Sequence, residues 1–254
     1  MTMAEATSLR LSVDEVIEGL QAGISGCCEV AGIGPLWIEG APRRGRLLLA
    51  HGAGAGQDSA FMAGLRQALA AAGIQALGIE FDYMQRMRAE GRRRPPPRVE
   101  KLVEELRPWC DIVSRLAGPP CWLGGKSMGG RVASLLAARE AVPGLVLCGY
   151  PFHPPGKPES TRLAHWPDIT CPALVLQGER DPFGTRAEAE DYDLPANAKV
   201  HFLCDGDHDW KPRKASGLTQ AQLIDEAARA IASTLESHSR GDVSGPGFVD
   251  GCCR

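Results

Sequence analysis

The stretch PCWLGGKSMGGRVASLLAARE, residues 120–140, decides how the rest of the chain is read. PCWLG is a short apolar run of the kind that forms a strand, and RVASLLAARE carries the apolar spacing of a helix. Between them Gly125, Ser127 and Gly129 spell GxSxG, directly after the predicted strand and directly before the predicted helix. That is the setting of a nucleophile elbow, a tight turn that holds a serine in a strained conformation at the carboxyl end of a sheet. Glycine on either side removes the Cβ atoms that would collide where strand and helix cross. In a chain with 30 glycines the bare motif is weak and an ordinary turn is the plain alternative, so its weight comes from the strand and helix around it.

Two rival motifs fail on single residues. GKS also ends the phosphate-binding loop GxxxxGK[ST], but the glycine that must open that loop would stand at Pro120. GAGAG, residues 52–56, cannot be a dinucleotide fingerprint, because GxGxxG starting at Gly52 requires glycine where Gln57 stands. No cofactor and no metal is implied.

Outward from residue 120 the chain alternates short apolar runs with longer amphipathic ones, the pattern of βαβ units and a mostly parallel sheet. Leu47 to Ala50 and Ile74 to Phe81 read as strands, and SAFMAGLRQALAAAG between them reads as a helix. A further helix is expected from about Arg98. RAEGRRRPPPR before it, with glycine, prolines and clustered arginines, reads as a solvated loop. PGLVLCGY, CPALVLQG and AKVHFLCDG supply three more strands, and a closing helix begins near Thr219, where TQAQ offers a capping box. The expected division is an N-terminal extension over 1–35, one α/β domain over 36–238 and a frayed tail from 239.

A serine nucleophile needs a base and an acid to orient it, and hydrolases with an elbow place both downstream, acid before histidine. Asp181, in QGERDPFG, and His208, in DGDHDW, each follow a predicted strand, so both fall on the carboxyl edge that also carries Ser127. Asp205, Asp207 and Asp209 crowd His208, but a single histidine among them has no recognised ligand spacing, and a solvated acidic turn is the reading adopted. HGAGAG after a strand fits an oxyanion loop, with the amides of Ala53 and Met128 as the donors. His51 is read as a brace for that loop rather than as a base. Gly54, Lys126 and His153 are the candidate substrate contacts, whereas His165, His201 and His238 have no partner motif.

Bulk properties narrow the partners. A net charge of −3 gives no general attraction to nucleic acid or membrane, so neither is an expected partner, and a small ester-like substrate is. Neither a basic n-region with an apolar stretch nor a long apolar run is present, and a cytoplasmic location is expected. Nine cysteines without CxxC pairs suggest reduced thiols.

Four segments together, LLLAHGAGAGQDSAFM, GGKSMGGRVAS, QGERDPFG and DGDHDWKPRKASG, resemble the KANL/Tex-type α/β-hydrolase-like family, which is similar to dienelactone hydrolases. The resemblance runs from about Leu36 to Leu235 and includes GYPFHPPGKP and GRRRPPP. It implies an α/β-hydrolase core without a large lid and a nucleophile, acid and base at Ser127, Asp181 and His208. The expected reaction is cleavage of a carboxylic ester, thioester or lactone through an acyl-serine. The alternative is an interaction module that turns over little or nothing, since the family includes chromatin-complex members that look like scaffold subunits.

Overall fold

The computed structural model describes residues 9–239. In chain order its first elements are β1 (Leu9–Leu11), α1 (Val13–Ala22), β2 (Gly26–Val30), β3 (Gly34–Glu39), β4 (Gly45–Ala50), α2 (Ala60–Ala71), β5 (Ile74–Ile79) and α3 (Asp82–Glu90). There follow α4 (Val99–Ser114), β6 (Cys121–Lys126), α5 (Met128–Ala137), β7 (Leu145–Cys148), β8 (Ala173–Gly178), α6 (Arg186–Glu190), β9 (Ala198–Leu203) and α7 (Gln220–Ser239). The strands form one sheet in the order β1-β2-β3-β5-β4-β6-β7-β8-β9. It is parallel except where β3 runs antiparallel to both β2 and β5.

The sheet is covered on both faces, which is why β4, β5, β6 and β8 are buried along their whole lengths. Their residues still alternate. Leu48, Leu123, Leu147 and Val175 face a core shared with α1, α4 and α5, and Leu49, Trp122, Val146 and Leu174 face one shared with α2 and α7. The expected capping box opens α7: Thr219 N–H donates to Gln222 Oε1 at 2.8 Å, and Gln222 N–H donates back to Thr219 Oγ1 at 3.3 Å. The β7–β8 connection holds only one short helical turn, Trp166–Asp168, so no lid domain is inserted there.

The segment expected as an extension contributes β1, α1 and β2, and through the β2–β3 pairing it continues the same sheet. Part of the expected arginine-rich loop is helical, because Arg88 to Glu90 form the last turn of α3; the stretch from Gly91 to Arg98 lies outside any element. The tail expected from 239 lies, beyond Ser239, outside the described residues. Reduced thiols hold for Cys27, Cys28, Cys110, Cys121, Cys148 and Cys171. Cys204, half-buried just past β9, is instead disulfide-bonded. No helix of the described residues is long and apolar enough to cross a membrane.

Candidate active site

Three side chains far apart in sequence meet at the carboxyl ends of β6, β8 and β9. Ser127 Oγ lies 2.9 Å from His208 Nε2, and His208 Nδ1 lies 2.8 Å from Asp181 Oδ2. The chain starts at a strained turn. Ser127 has φ 52° and ψ −112°, which a non-glycine residue adopts only when the surroundings over-determine it. They do so here by contact. A Cβ on Gly125 would stand 2.5 Å from the Gly129 carbonyl carbon, and one on Gly129 would stand 2.6 Å from both the Ala50 and the His51 oxygens. The two glycines let α5 leave β6 close against the end of β4, and the serine is left standing above the sheet.

Asp181 is fully buried, and its second oxygen, Oδ1, accepts from Phe183 N–H at 2.9 Å. With that oxygen occupied, Oδ2 is turned to the histidine. A carboxylate there requires the proton of the imidazole on Nδ1, which leaves Nε2 free to accept from Ser127. Phe183 also lays its ring against the imidazole, 4.4 Å between centroids. The loop bearing His208 is stapled by the aspartates read as a solvated turn. Asp205 is buried and accepts from Arg213 N–H at 2.6 Å, while Asp207 Oδ1 accepts from Asp209 N–H and Lys211 N–H, each at 2.9 Å. That reading is corrected: these carboxylates fold the loop on itself.

The expected oxyanion amides are framed from behind. His51 is buried and accepts from Phe81 N–H on Nε2 at 3.1 Å, so its proton is on Nδ1, which donates to Gly52 O at 2.7 Å. Burial pushes its pKa down to about 4, keeping the ring neutral. Tyr83 O–H reaches Gly52 O at 3.3 Å and Ala53 O at 3.0 Å. In a trans peptide the N–H points opposite to the C=O, so two carbonyls held toward His51 and Tyr83 turn the amides of Ala53 and Gly54 the other way. Met128 is the first residue of α5, and its N–H has no carbonyl one turn back within the helix. Gln57 closes the loop, its Nε2 donating to Leu49 O at 2.6 Å and Ile79 O at 3.0 Å across the ends of β4 and β5.

The candidate substrate contacts are dispersed. Gly54 is exposed on the loop. Lys126 is buried, its ammonium 3.5 Å from Asp209 Oδ1 and 5.4 Å from the centre of the Phe61 ring; burial lowers its pKa and Asp209 opposes that. His153 is buried with its ring on Pro154 O at 2.8 Å and on Glu188 at 3.4 Å.

Tyr83, Phe183 and Gly149 were not among the expected residues. Gly149, at φ +59°, follows β7 directly, and a Cβ there would lie 3.1 Å from His208 O and 3.2 Å from Lys126 Nζ. A glycine straight after a strand in GYPF, and an aromatic two residues past the acid in DPFG, were the available signals. A second serine–histidine contact, Ser134 Oγ to His165 Nε2 at 2.8 Å, has another character. Ser134 is fully buried inside α5 and donates its proton to Arg131 O at 2.9 Å, so it receives a hydrogen bond from the imidazole instead of giving one.

The Alpha/beta hydrolase domain family matches residues 43–236. Among curated proteins, none matches the chain by sequence. Among solved structures, dienelactone hydrolase from Anabaena variabilis is similar at 19% identity and a TM-score of 0.59, over 83% of this chain and 94% of that one. Est1E from Butyrivibrio proteoclasticus is similar at 14% identity and 0.58, over 83% and 99%. A monoacylglycerol lipase from Paleococcus ferrophilus is similar at 15% identity and 0.55, over 80% and 98%. At these identities the likeness is one of fold.

Proposed function

Since the chain belongs to the alpha/beta hydrolase domain family, we propose that it is a serine hydrolase acting on a small carboxylic ester, thioester or lactone. The observation that carries the proposal is the unbroken hydrogen-bonded line from Ser127 through His208 to Asp181. Ser127 Oγ attacks the carbonyl carbon as its proton passes to His208 Nε2, and Asp181 stabilises the imidazolium through Nδ1–H. The carbonyl oxygen, now negative, is held by the amides of Ala53 and Met128, each contributing about 3 kcal/mol to the barrier reduction. The imidazolium then protonates the leaving group. Water, deprotonated by the same nitrogen, attacks the acyl-serine and releases the acid.

A small substrate is favoured because the β7–β8 connection inserts no lid domain over the sheet edge. Est1E, a structural relative, is solved with ferulic acid bound, and that compound is the acid half of such esters. The test is labelling by a fluorophosphonate. Ser127 is expected to be modified in the wild type, and no label is expected in Ser127→Ala. A folded wild type that stays unlabelled and cleaves no ester in a series graded by acyl length would overturn the proposal and leave the interaction module.

A further inference from the structure

Lys126, expected as a substrate contact, is turned into the protein. On β6 it shares a face with Trp122, four residues back, so its side chain lies on the α2 and α7 side of the sheet and is only 7% exposed. Its ammonium is 3.5 Å from Asp209 Oδ1 and 5.4 Å from the centre of the Phe61 ring. Among the described residues, Asp209 is the one carboxylate that forms an ion pair with it. A Cβ on Gly149 would lie 3.2 Å from the ammonium, 3.1 Å from His208 O and 3.5 Å from Asp181 Oδ2, so these three groups surround one point just past β7.

The partner is held as closely. Asp209 follows His208 directly; its N–H donates to Asp207 Oδ1 at 2.9 Å, and its carbonyl accepts from Gln220 Nε2 at 2.7 Å. Trp210 then returns the chain to the core, fully buried with its ring 4.9 Å from that of Phe61. Its φ of 59° is a left-handed conformation that a bulky residue adopts only under constraint. Lys126 is bonded to Ser127 and Asp209 to His208, so the ion pair and the Ser127–His208 hydrogen bond close one ring through two peptide bonds. A change at either end of the pair reaches the 2.9 Å contact between Oγ and Nε2.

The pair also balances charge. Burial lowers the pKa of Lys126, and Asp209 and then Asp181 oppose that. Cys148, on the same face at the end of β7, has its thiol pushed up to about 12 by burial and stays neutral. Asp205 and Asp207, the other acids of the His208 loop, are taken up by Arg213 and by backbone amides. The second oxygen of Asp209 meets exposed Lys211 at 3.7 Å, a contact that water screens. An ammonium near an imidazole opposes its protonation and a carboxylate favours it, so Lys126 and Asp209 act on His208 with opposite sign.

We propose that Lys126 and Asp209 are positioning residues, whose ion pair sets His208 against Ser127 and balances the charge around the imidazole. The inference rests on the serine-hydrolase reading. It is tested by NMR of the imidazole nitrogens against pH, with His208 assigned by comparison with His208→Gln. The His208 midpoint is expected to rise by about half a pH unit or more in Lys126→Met and to fall by a similar amount in Asp209→Asn. Lys126→Arg keeps the charge and is expected to hold the wild-type midpoint. Ester hydrolysis is expected to slow about tenfold in each neutral variant, with the acidic limb of kcat/KM moving in the same two directions.

A merely structural role predicts slower turnover without opposed shifts. Midpoints that stay put, or that move the same way in both neutral variants, overturn the pairing and leave the hydrolase reading standing. Asp209 is half-exposed and Asn has its shape, so that variant decides alone where Lys126→Met does not fold. The NMR measurement needs no turnover: opposed shifts in a protein that is neither labelled at Ser127 nor active would overturn the hydrolase reading and keep the pair as the group that fixes His208.

Discussion

Replacing Asp181 by Asn tests the proposed chemistry at the group furthest from the substrate. The carboxylate and the carboxamide have the same shape, so packing in this fully buried position is retained. What changes is which atom donates, and Phe183 N–H fixes the answer. It donates to Oδ1 at 2.9 Å, and only the carbonyl oxygen of the amide can accept it. The NH2 group is therefore forced toward His208, 2.8 Å away, where a donor now meets Nδ1. The imidazole must carry its proton on Nε2 and donate to Ser127, so it cannot take the serine proton. The expected loss is about 10⁴-fold in kcat, or about 5 kcal/mol of transition-state stabilisation, with KM little changed. Steady-state hydrolysis of the best ester, beside the rate of fluorophosphonate labelling, measures it. A fall of less than tenfold in both would refute the reasoning, because Asp181 would then not set the tautomer.

Tyr83→Phe removes the hydroxyl from Gly52 O and Ala53 O, and kcat is expected to drop about tenfold through loss of amide alignment, short of the ~10²-fold or more for deleting a donor outright. An unchanged kcat would sink the bracing role. Gly149→Ala forces a left-handed conformation at a cost of about 1 kcal/mol and brings a methyl to 3.1 Å from His208 O; kcat should fall roughly 10- to 100-fold with a modest loss of Tm. Retention of full activity would show that the His208 loop yields freely. His51 is held at about 4, below its ordinary 6.5, so the folded state binds fewer protons than the unfolded one between these values. Its contribution to stability is complete above pH 6.5 and is lost as pH falls toward 4. Unfolding free energies from urea titrations should be higher at pH 7 than at about pH 5 by roughly 2 kcal/mol more in the wild type than in His51→Gln, and equal differences would refute the assignment.

The central strands and the elbow were legible because each has one cause that acts locally. Runs such as LVLC and ALVLQG are apolar throughout since both faces of a parallel sheet are covered, and the two elbow glycines are dictated by backbone contact. The positions of Asp181 and His208 followed from topology alone, as both trail a strand. The first three strands were missed for the opposite reason. GCCEV is partly exposed and its pairing is antiparallel to a partner itself hard to recognise, so neither period nor hydropathy marks it. In α3 only Tyr83 and Met84 are buried, too few to produce a stripe, and that helix carries the hydroxyl that braces the proposed oxyanion loop at Gly52 and Ala53. The aspartates near His208 were misjudged because their partners, among them Arg180 and Arg213, are recruited by a turn whose shape the sequence does not declare.

The ring of Phe183, tilted 38° to the imidazole and 4.4 Å from it between centroids, bears on timing. A histidine held through Nδ1 by a buried carboxylate and contacted by an aromatic ring keeps Nε2 toward Ser127 once the leaving group departs. On the proposed mechanism, the nitrogen that shuttles the proton outward in the first half-reaction must receive the next one from the same direction, so the incoming water has to occupy the berth just vacated by the alcohol. Turnover is then ordered: the first product leaves before hydrolysis can begin, and an added alcohol nucleophile competes with water for one place.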